Sequence, residues 1–301
     1  MVAPHSFIFY RYDPSLAAAA AFVALFGLSA IAHTYQLIWK RTWYFIPFVI
    51  GGLCETVGYG GRIMSAQETP NWTTNPYILQ SLLILVAPAL FAASIYMVLG
   101  RIVRLVEGEH HSGIPIKWLT KIFVTADVIS FCVQGAGGGL LAVAKDVQGF
   151  NNGQNVIIGG LFVQLAAFSV FVVVTSIFHR RMQKTPTVAS QAVGVPWQRY
   201  LWVLYAASGL ILVRSIFRVI EYLQGYSGSL QDAEYWLYIF DAVPMFVSTV
   251  VLNVFHPSKI ISSKTKAGRV SLQSTTDIEQ ELQNVNWRAS QRKPMTAESN
   301  V

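Results

Sequence analysis

Charge is scarce in this chain. Only 12% of its 301 residues are Asp, Glu, Lys or Arg, about half the share of a soluble domain. Hydrophobic residues make up 53%, and the mean hydropathy is +0.44. This balance excludes an ordinary soluble globule and points to an integral membrane protein. Cysteine is scarcer still. Cys54 and Cys132 both lie in apolar runs, form no Cys-x-x-Cys or zinc pattern, and read as free packing residues. Of the six histidines, only His33 lies inside an apolar run. His179 and His256 sit at run ends and His110-His111 in a loop, so the converging ligands of an intramembrane metal hydrolase are missing. The last apolar run has no lysine for a retinal Schiff base, and the chain has no phosphate-cradling glycine loop. No cofactor is expected, and the chain is not expected to be an enzyme. The first apolar run lacks a basic leader, so no cleavable signal peptide is expected.

What is present is a series of long apolar runs. Segments of about 20 apolar residues, the length a bilayer requires, predict membrane helices at 16–38, 43–65, 77–99, 119–143, 155–178, 199–223 and 235–256. The expected fold is therefore all-α and polytopic, with seven transmembrane helices. Residues 1–15 form an extracellular amino terminus, 16–256 the membrane domain, and 257–301 a cytosolic, mostly disordered tail rich in Ser, Thr, Gln and Asn.

Lysine and arginine set the orientation. The amino terminus and the second, fourth and sixth loops carry only Arg11 and Lys145. The first loop carries Lys40 and Arg41, the third Arg101, Arg104, Lys117 and Lys121, and the fifth Arg180, Arg181, Lys184 and Arg199. The tail adds Lys259, Lys264, Lys266, Arg269, Arg288, Arg292 and Lys293. The positive-inside rule places the amino terminus outside and the carboxyl terminus in the cytosol. Topology thus accounts for the net charge of +7, and no nucleic-acid partner is expected. Trp39, Trp43, Trp72, Trp118, Trp197, Trp202 and Trp236 fall at or near predicted helix ends, where an aromatic belt belongs. The sequon Asn71-Trp72-Thr73 lies in an outer loop, making Asn71 a candidate glycosylation site. The basic run at 259–269 reads as a stop-transfer flank or as a contact for anionic cytosolic lipid.

Seven ionisable residues besides histidine fall inside the predicted spans: Glu55, Arg62, Asp127, Arg214, Arg218, Glu221 and Asp241. At a bilayer centre each costs roughly 2.5 to 3.5 kcal/mol, even on the lenient insertion scale. Together they exceed a domain's net stability of about 5 to 15 kcal/mol, so pairing or hydration is compulsory. Arg214, Arg218 and Glu221 are spaced i, i+4, i+7 and share one helix face. Depth places them with Arg62 and Asp241 in the outer half, Glu55 near the middle and Asp127 toward the cytosol. The reading is a polar cavity open outward and extended by Gln80, Gln134, Gln164 and Asn253. The structural alternative is a set of salt bridges that fixes helix order, with Arg218 and Glu221 snorkelling. Four acids against three bases leave one carboxylate over, which suits an amine head group or a proton carrier. Gly51-Gly52, Gly60-Gly61, Gly135-x-x-x-Gly139 and Gly159-Gly160 predict close helix packing. Pro47, Pro88 and Pro244 predict bends in three spans.

Several blocks carry a family resemblance: residues 43–62 (WYFIPFVIGGLCETVGYGGR), 77–101 (YILQSLLILVAPALFAASIYMVLGR), 121–140 (KIFVTADVISFCVQGAGGGL), 159–165 (GGLFVQL), 204–225 (LYAASGLILVRSIFRVIEYLQG) and 241–257 (DAVPMFVSTVVLNVFHP). The chain resembles the fungal lipid-translocating exporter family, which includes the sphingoid-base and aminocholesterol resistance proteins. The resemblance implies seven spans with the amino terminus outside, and a role in moving amphipathic lipids or resisting toxic ones. Some members handle porphyrins or respond to stress. The expected function is therefore export of a sphingoid long-chain-base-like amphiphile across the plasma membrane, with membrane lipids as surroundings. The alternative is a seven-helix receptor or stress sensor acting on lipid handling indirectly.

Overall fold

A computed structural model describes residue 10 and residues 12–143, 146–192, 196–225, 228, 230, 232–258 and 283. Lys145, the basic run at 259–269, nearly all of the expected tail and most of residues 1–15 lie outside the described residues. Among the described residues every regular element is helical: α1 (Leu16–Trp39), α2 (Ile46–Gln67), α3 (Thr74–Leu105), α4 (Ile116–Val143), α5 (Val147–Lys184), α6 (Val188–Ala192), α7 (Trp197–Gln224), α8 (Glu234–Leu237) and α9 (Val243–Val254). A π-helical stretch, Tyr238–Ala242, joins α8 to α9, so that Glu234–Val254 runs as one rod.

Local chemistry sets the helix ends. The Ser15 side chain accepts a hydrogen bond from the Ala18 amide and caps α1, and Asp146 does the same for α5 through Gly149. α7 stops at Gly225, whose φ of 69° lies in the left-handed region that a glycine adopts without Cβ strain. α3 and α5 are longer than their predicted spans because Arg101 and Arg104 continue α3, and Arg180, Arg181 and Lys184 continue α5. Long basic residues are good helix formers and extend a rod past the apolar run that starts it. The fifth loop also holds the short helix α6, which apolar periodicity did not predict.

Two sequence expectations are corrected. Pro47 does not bend a span: it occupies the first turn of α2, where its missing N–H costs nothing. Pro88 does lie inside α3, and Pro244 follows the π-helical stretch at the start of α9. Nor does Gly135-x-x-x-Gly139 form a close contact, since a Cβ at either glycine, or at Gly60 or Gly159, would meet nothing within 4 Å. The close approach on α4 is at Gly137, where a Cβ would lie 2.9 Å from the Gly153 carbonyl of α5.

The long helices close a ring. Neighbours in sequence pack together from α1 through α5, then α5 with α7, α7 with α9, and α9 back onto α1, while α3 reaches across to α7. Large apolar side chains cover the outside, among them Leu28 (67% exposed), Ile31 (68%) and Val173 (56%). Water would not tolerate so continuous an apolar coat, whereas lipid matches it. Trp39, Trp43, Trp118 and Trp202 are exposed at helix ends, as an interfacial belt requires. Leu16–Trp39, Thr74–Leu105, Asn151–Lys184, Trp197–Gln224 and Glu234–Val254 are each long and apolar enough to cross a bilayer. α2 falls outside that set, carrying Glu55, Arg62 and five glycines, and so does α4. The protein is a multi-pass membrane protein whose polar groups face inward.

Candidate functional site

Three helices each contribute a polar triplet with the same i, i+4, i+7 spacing. α2 supplies Glu55, Tyr59 and Arg62. α7 supplies Arg214, Arg218 and Glu221. The last rod supplies Glu234, Tyr238 and Asp241. Arg62 near the end of α2 meets Glu234 at the start of the last rod, and Tyr59 and Tyr238 stack one step further in, with centroids 6.2 Å apart. The two triplets therefore form an antiparallel ladder.

The Arg62–Glu234 rung is fully paired. Arg62 is 0% exposed, donates to Glu234 Oε1 at 2.8 Å, to the Tyr12 hydroxyl at 2.9 Å and to the Tyr238 hydroxyl at 3.1 Å. The rings of Tyr10, Tyr12 and Tyr238 lie within 5.8 Å of its guanidinium carbon. Glu234 also accepts from the Ser15 amide at 2.9 Å, which ties the entry of α1 to this rung. Tyr10 donates to Gln80 Oε1 at 3.1 Å and packs against Trp72 and Tyr77. Burial pushes the Tyr10 phenol above its usual pKa, opposed by the nearby Arg62 charge. Tyr10 and Tyr12 thus cap this end of the bundle with aromatic rings. Asn71, in the adjoining α2–α3 turn, is exposed.

The inner rung is bound to α7. Asp241 accepts from Arg214 through one carboxylate oxygen and from Arg218 through the other. Arg218 also donates to Glu221 at 3.0 Å. Arg218 and Glu221 are 14% and 12% exposed at their side chains, so they pair within the bundle rather than snorkel. The π-helical stretch that carries Asp241 rotates it relative to a regular helix, and such stretches recur at functional sites. Arg214 makes a further bond, from Nη2 to the Ile84 carbonyl of α3 at 2.8 Å. Pro88, four residues on, has no N–H to offer that carbonyl.

Glu55 is 1% exposed, and neither of its carboxylate oxygens has a hydrogen-bond partner among the described residues. The Tyr59 hydroxyl and Arg218 Nε beside it are likewise unpartnered. Asp127 sits apart, in the other half of the bundle, where the Tyr96 hydroxyl of α3 donates to its Oδ2 at 3.0 Å and its Oδ1 has no partner. Gln134 joins a separate seam between α4 and α5, donating to Ser130 at 2.7 Å and to Gln164 at 3.1 Å. Asn253 donates to Ser29 at 2.8 Å, and His33 bonds the Thr249 carbonyl at 3.0 Å, both fastening the last rod to α1.

The structure therefore gathers Glu55, Arg62, Gln80, Arg214, Arg218, Glu221 and Asp241 around the ladder, with Gln80 reached through Tyr10. It leaves Asp127 and Gln134 elsewhere. All but Arg218, whose side chain is 14% exposed, are buried, so the site is closed in this conformation rather than an open vestibule. Sequence reasoning missed Glu234, Tyr238, Tyr59, Tyr10 and Tyr12. Glu234 fell one residue outside its predicted span, and the tyrosines read as apolar. The repeated i, i+4, i+7 spacing was the signal that would have found Tyr59, Glu234 and Tyr238. Adding Glu234 also changes the charge balance. Arg62 is matched by Glu234, and Arg214 and Arg218 by Asp241 and Glu221, which leaves two acids over, Glu55 and Asp127.

A family model described as RTA1 like protein matches residues 48–264, which include every residue of the ladder. Protein RTA1 of Saccharomyces cerevisiae is 36% identical over 281 residues, covering 85% of this chain and 87% of that relative. Protoporphyrin uptake protein 1 of the same species is 34% identical over 283 residues, covering 82% and 91%. The sphingoid long-chain base transporter RSB1, also of that species, is 26% identical over 277 residues, covering 81% and 72%. No solved structure matches.

Proposed function

The chain belongs to the RTA1-like family of fungal lipid-translocating exporters, and from that premise we propose that it moves amphipathic lipids across the plasma membrane. The substrate class is a long-chain base with a cationic head group, of the kind named for the sphingoid-base relative. In this reading the seven long rods cross the bilayer with the amino terminus outside and the carboxyl terminus in the cytosol, which the distribution of Lys and Arg supports. α2 and α4 cross as members of the ring, with the charges of α2 turned inward.

One observation carries this reading. Among the described residues, Glu55 offers two unpartnered carboxylate oxygens inside a bundle whose other interior charges on the ladder are matched. A cationic head group supplies the missing charge and the missing donors, while its alkyl chain stays in lipid between the helices. Residues 10 and 12 form the outer lid, which opens by releasing the tyrosines from Arg62 and Gln80. The cytosolic connection after α5 runs only from Lys184 through α6 to Trp197, leaving little surface for an effector protein.

The test is purified protein in liposomes with a fluorescent long-chain base. Faster transbilayer movement than in protein-free vesicles, reduced by Glu55→Gln and by Asp241→Asn, supports the proposal. A rate equal to that of protein-free vesicles overturns it, as a receptor acting indirectly on lipid handling requires.

A further inference from the structure

The inner rung of the ladder is unequal. Asp241 holds both Arg214 and Arg218, and Arg218 also holds Glu221, so two cations and two anions close on one another. The Arg62–Glu234 pair is balanced separately at the outer rung. Glu55 is left over, 1% exposed and with both oxygens unpartnered among the described residues. The groups that bear on it are Cys54 and Tyr59 on α2, Arg214 and Arg218 on α7, and Asp241 on the last rod. α1 brings Gly27 and Ala30 against α2 at this level, and α3 brings Ala87 and Phe91.

An ionised carboxylate held there without a donor is strongly disfavoured. Charge balance is met when Glu55 carries a proton. It is met equally when a monovalent cation stands against its carboxylate. Only one of these can occupy the group at a time.

We propose that Glu55 is a proton-exchange site, protonated in the unliganded protein and releasing that proton when an ammonium head group binds against it. The O–H bond of the carboxyl breaks, the proton passes to water, and the carboxylate pairs with the incoming cation. One positive charge enters as one leaves, so the step is electroneutral and couples movement of the lipid to a proton gradient. The inference rests on the lipid-transport reading for the chemistry of the ligand, and it adds the energy source.

The test uses the full chain in detergent and weak buffer, titrated with an alkyltrimethylammonium salt, whose fixed charge carries no proton of its own. Binding is expected to release about one proton per protein, and the apparent Kd to tighten about tenfold per pH unit while Glu55 is protonated in the free protein. Glu55→Gln abolishes both effects, and Glu55→Asp restores the release. Wild-type protein also gives the infrared carbonyl band of a protonated carboxyl, lost on adding the ammonium, a measurement that needs no variant. Binding without proton release, or release undiminished in a folded Glu55→Gln protein, overturns the proposal. Long-chain base moving in liposomes without proton release overturns the exchange role alone. Proton release without lipid movement overturns the transport reading alone.

Discussion

Arg214 on α7 donates a hydrogen bond at 2.8 Å to the Ile84 carbonyl of α3, the carbonyl that Pro88 cannot serve. A proline inside a membrane helix is tolerated where neighbouring groups satisfy what it frees, and here the neighbour is the arginine that also anchors Asp241. The proline and the charged interior are thus one arrangement. It predicts an interaction between positions 88 and 214. Arg214→Gln leaves Ile84 and one oxygen of Asp241 short of a donor and is expected to cost about 3 kcal/mol. Pro88→Ala gives Ile84 a helical donor, so in that background Arg214→Gln is expected to cost about 1 kcal/mol less. Unfolding of the four proteins in detergent measures the difference. Strict additivity contradicts the arrangement.

The Arg62–Glu234 rung predicts a dependence on paired charge. Arg62 is 0% exposed, and Glu234 is its only ion-pair partner among the described residues. Glu234→Ala strands a buried guanidinium and is expected to cost about 3 to 5 kcal/mol. Replacing both Arg62 and Glu234 by methionine removes the stranded charge and recovers most of that loss. Thermal unfolding compares the two. A double variant as unstable as Glu234→Ala alone shows that the pair is not what stabilises this end.

The sequence made the helical membrane frame legible because apolar runs of bilayer length are a one-dimensional signal. Arg214, Arg218 and Glu221 stood out because charge is rare in such runs. The partner of Arg62 was harder to read. Glu234 lies at a helix end, where charge is ordinary, and it becomes exceptional only when Arg62 folds against it. Tyr59 and Tyr238 count among the 53% of hydrophobic residues, yet their positions on the ladder are polar. The separation of Asp127 and Gln134 from the ladder depends on which helices touch, which periodicity along a single helix does not encode. The π-helical stretch at Asp241 is likewise a product of packing, with Pro244 beside it as the only local hint.

Asp127 and Tyr96 give a prediction with an order to it. Tyr96 donates the one hydrogen bond that Asp127 receives, and Oδ1 has no partner among the described residues. Tyr96→Phe leaves both oxygens buried and unpaired, and is expected to cost about 1 to 3 kcal/mol. Asp127→Asn retains an acceptor for Tyr96 and removes the ionisable group, so its cost is expected to be smaller. Melting temperatures of the two variants decide it. A greater loss in Asp127→Asn indicates that the carboxylate has an essential partner beyond Tyr96.

The glycines divide by what surrounds them, a test that depends on the helix seams alone. A Cβ at Gly160 would lie 2.6 Å from Gln134 Cγ and 3.0 Å from the Ser130 carbonyl, the group beside which Ser130 and Gln134 join α4 to α5. At Gly137 it would meet backbone of α5 at 2.9 Å. Backbone cannot swing aside as a side-chain tip can, so Gly137→Ala and Gly160→Ala are expected to destabilise by about 1 to 3 kcal/mol. Gly60 and Gly135 have open space where the Cβ would go. At those two sites alanine removes glycine's helix penalty of about 1 kcal/mol and is expected to be neutral or stabilising. Fluorescence-detected size exclusion after heating ranks all four in one experiment. Equal tolerance at Gly137 and Gly135 contradicts the α4–α5 seam, and with it the separation of Gln134 from the ladder.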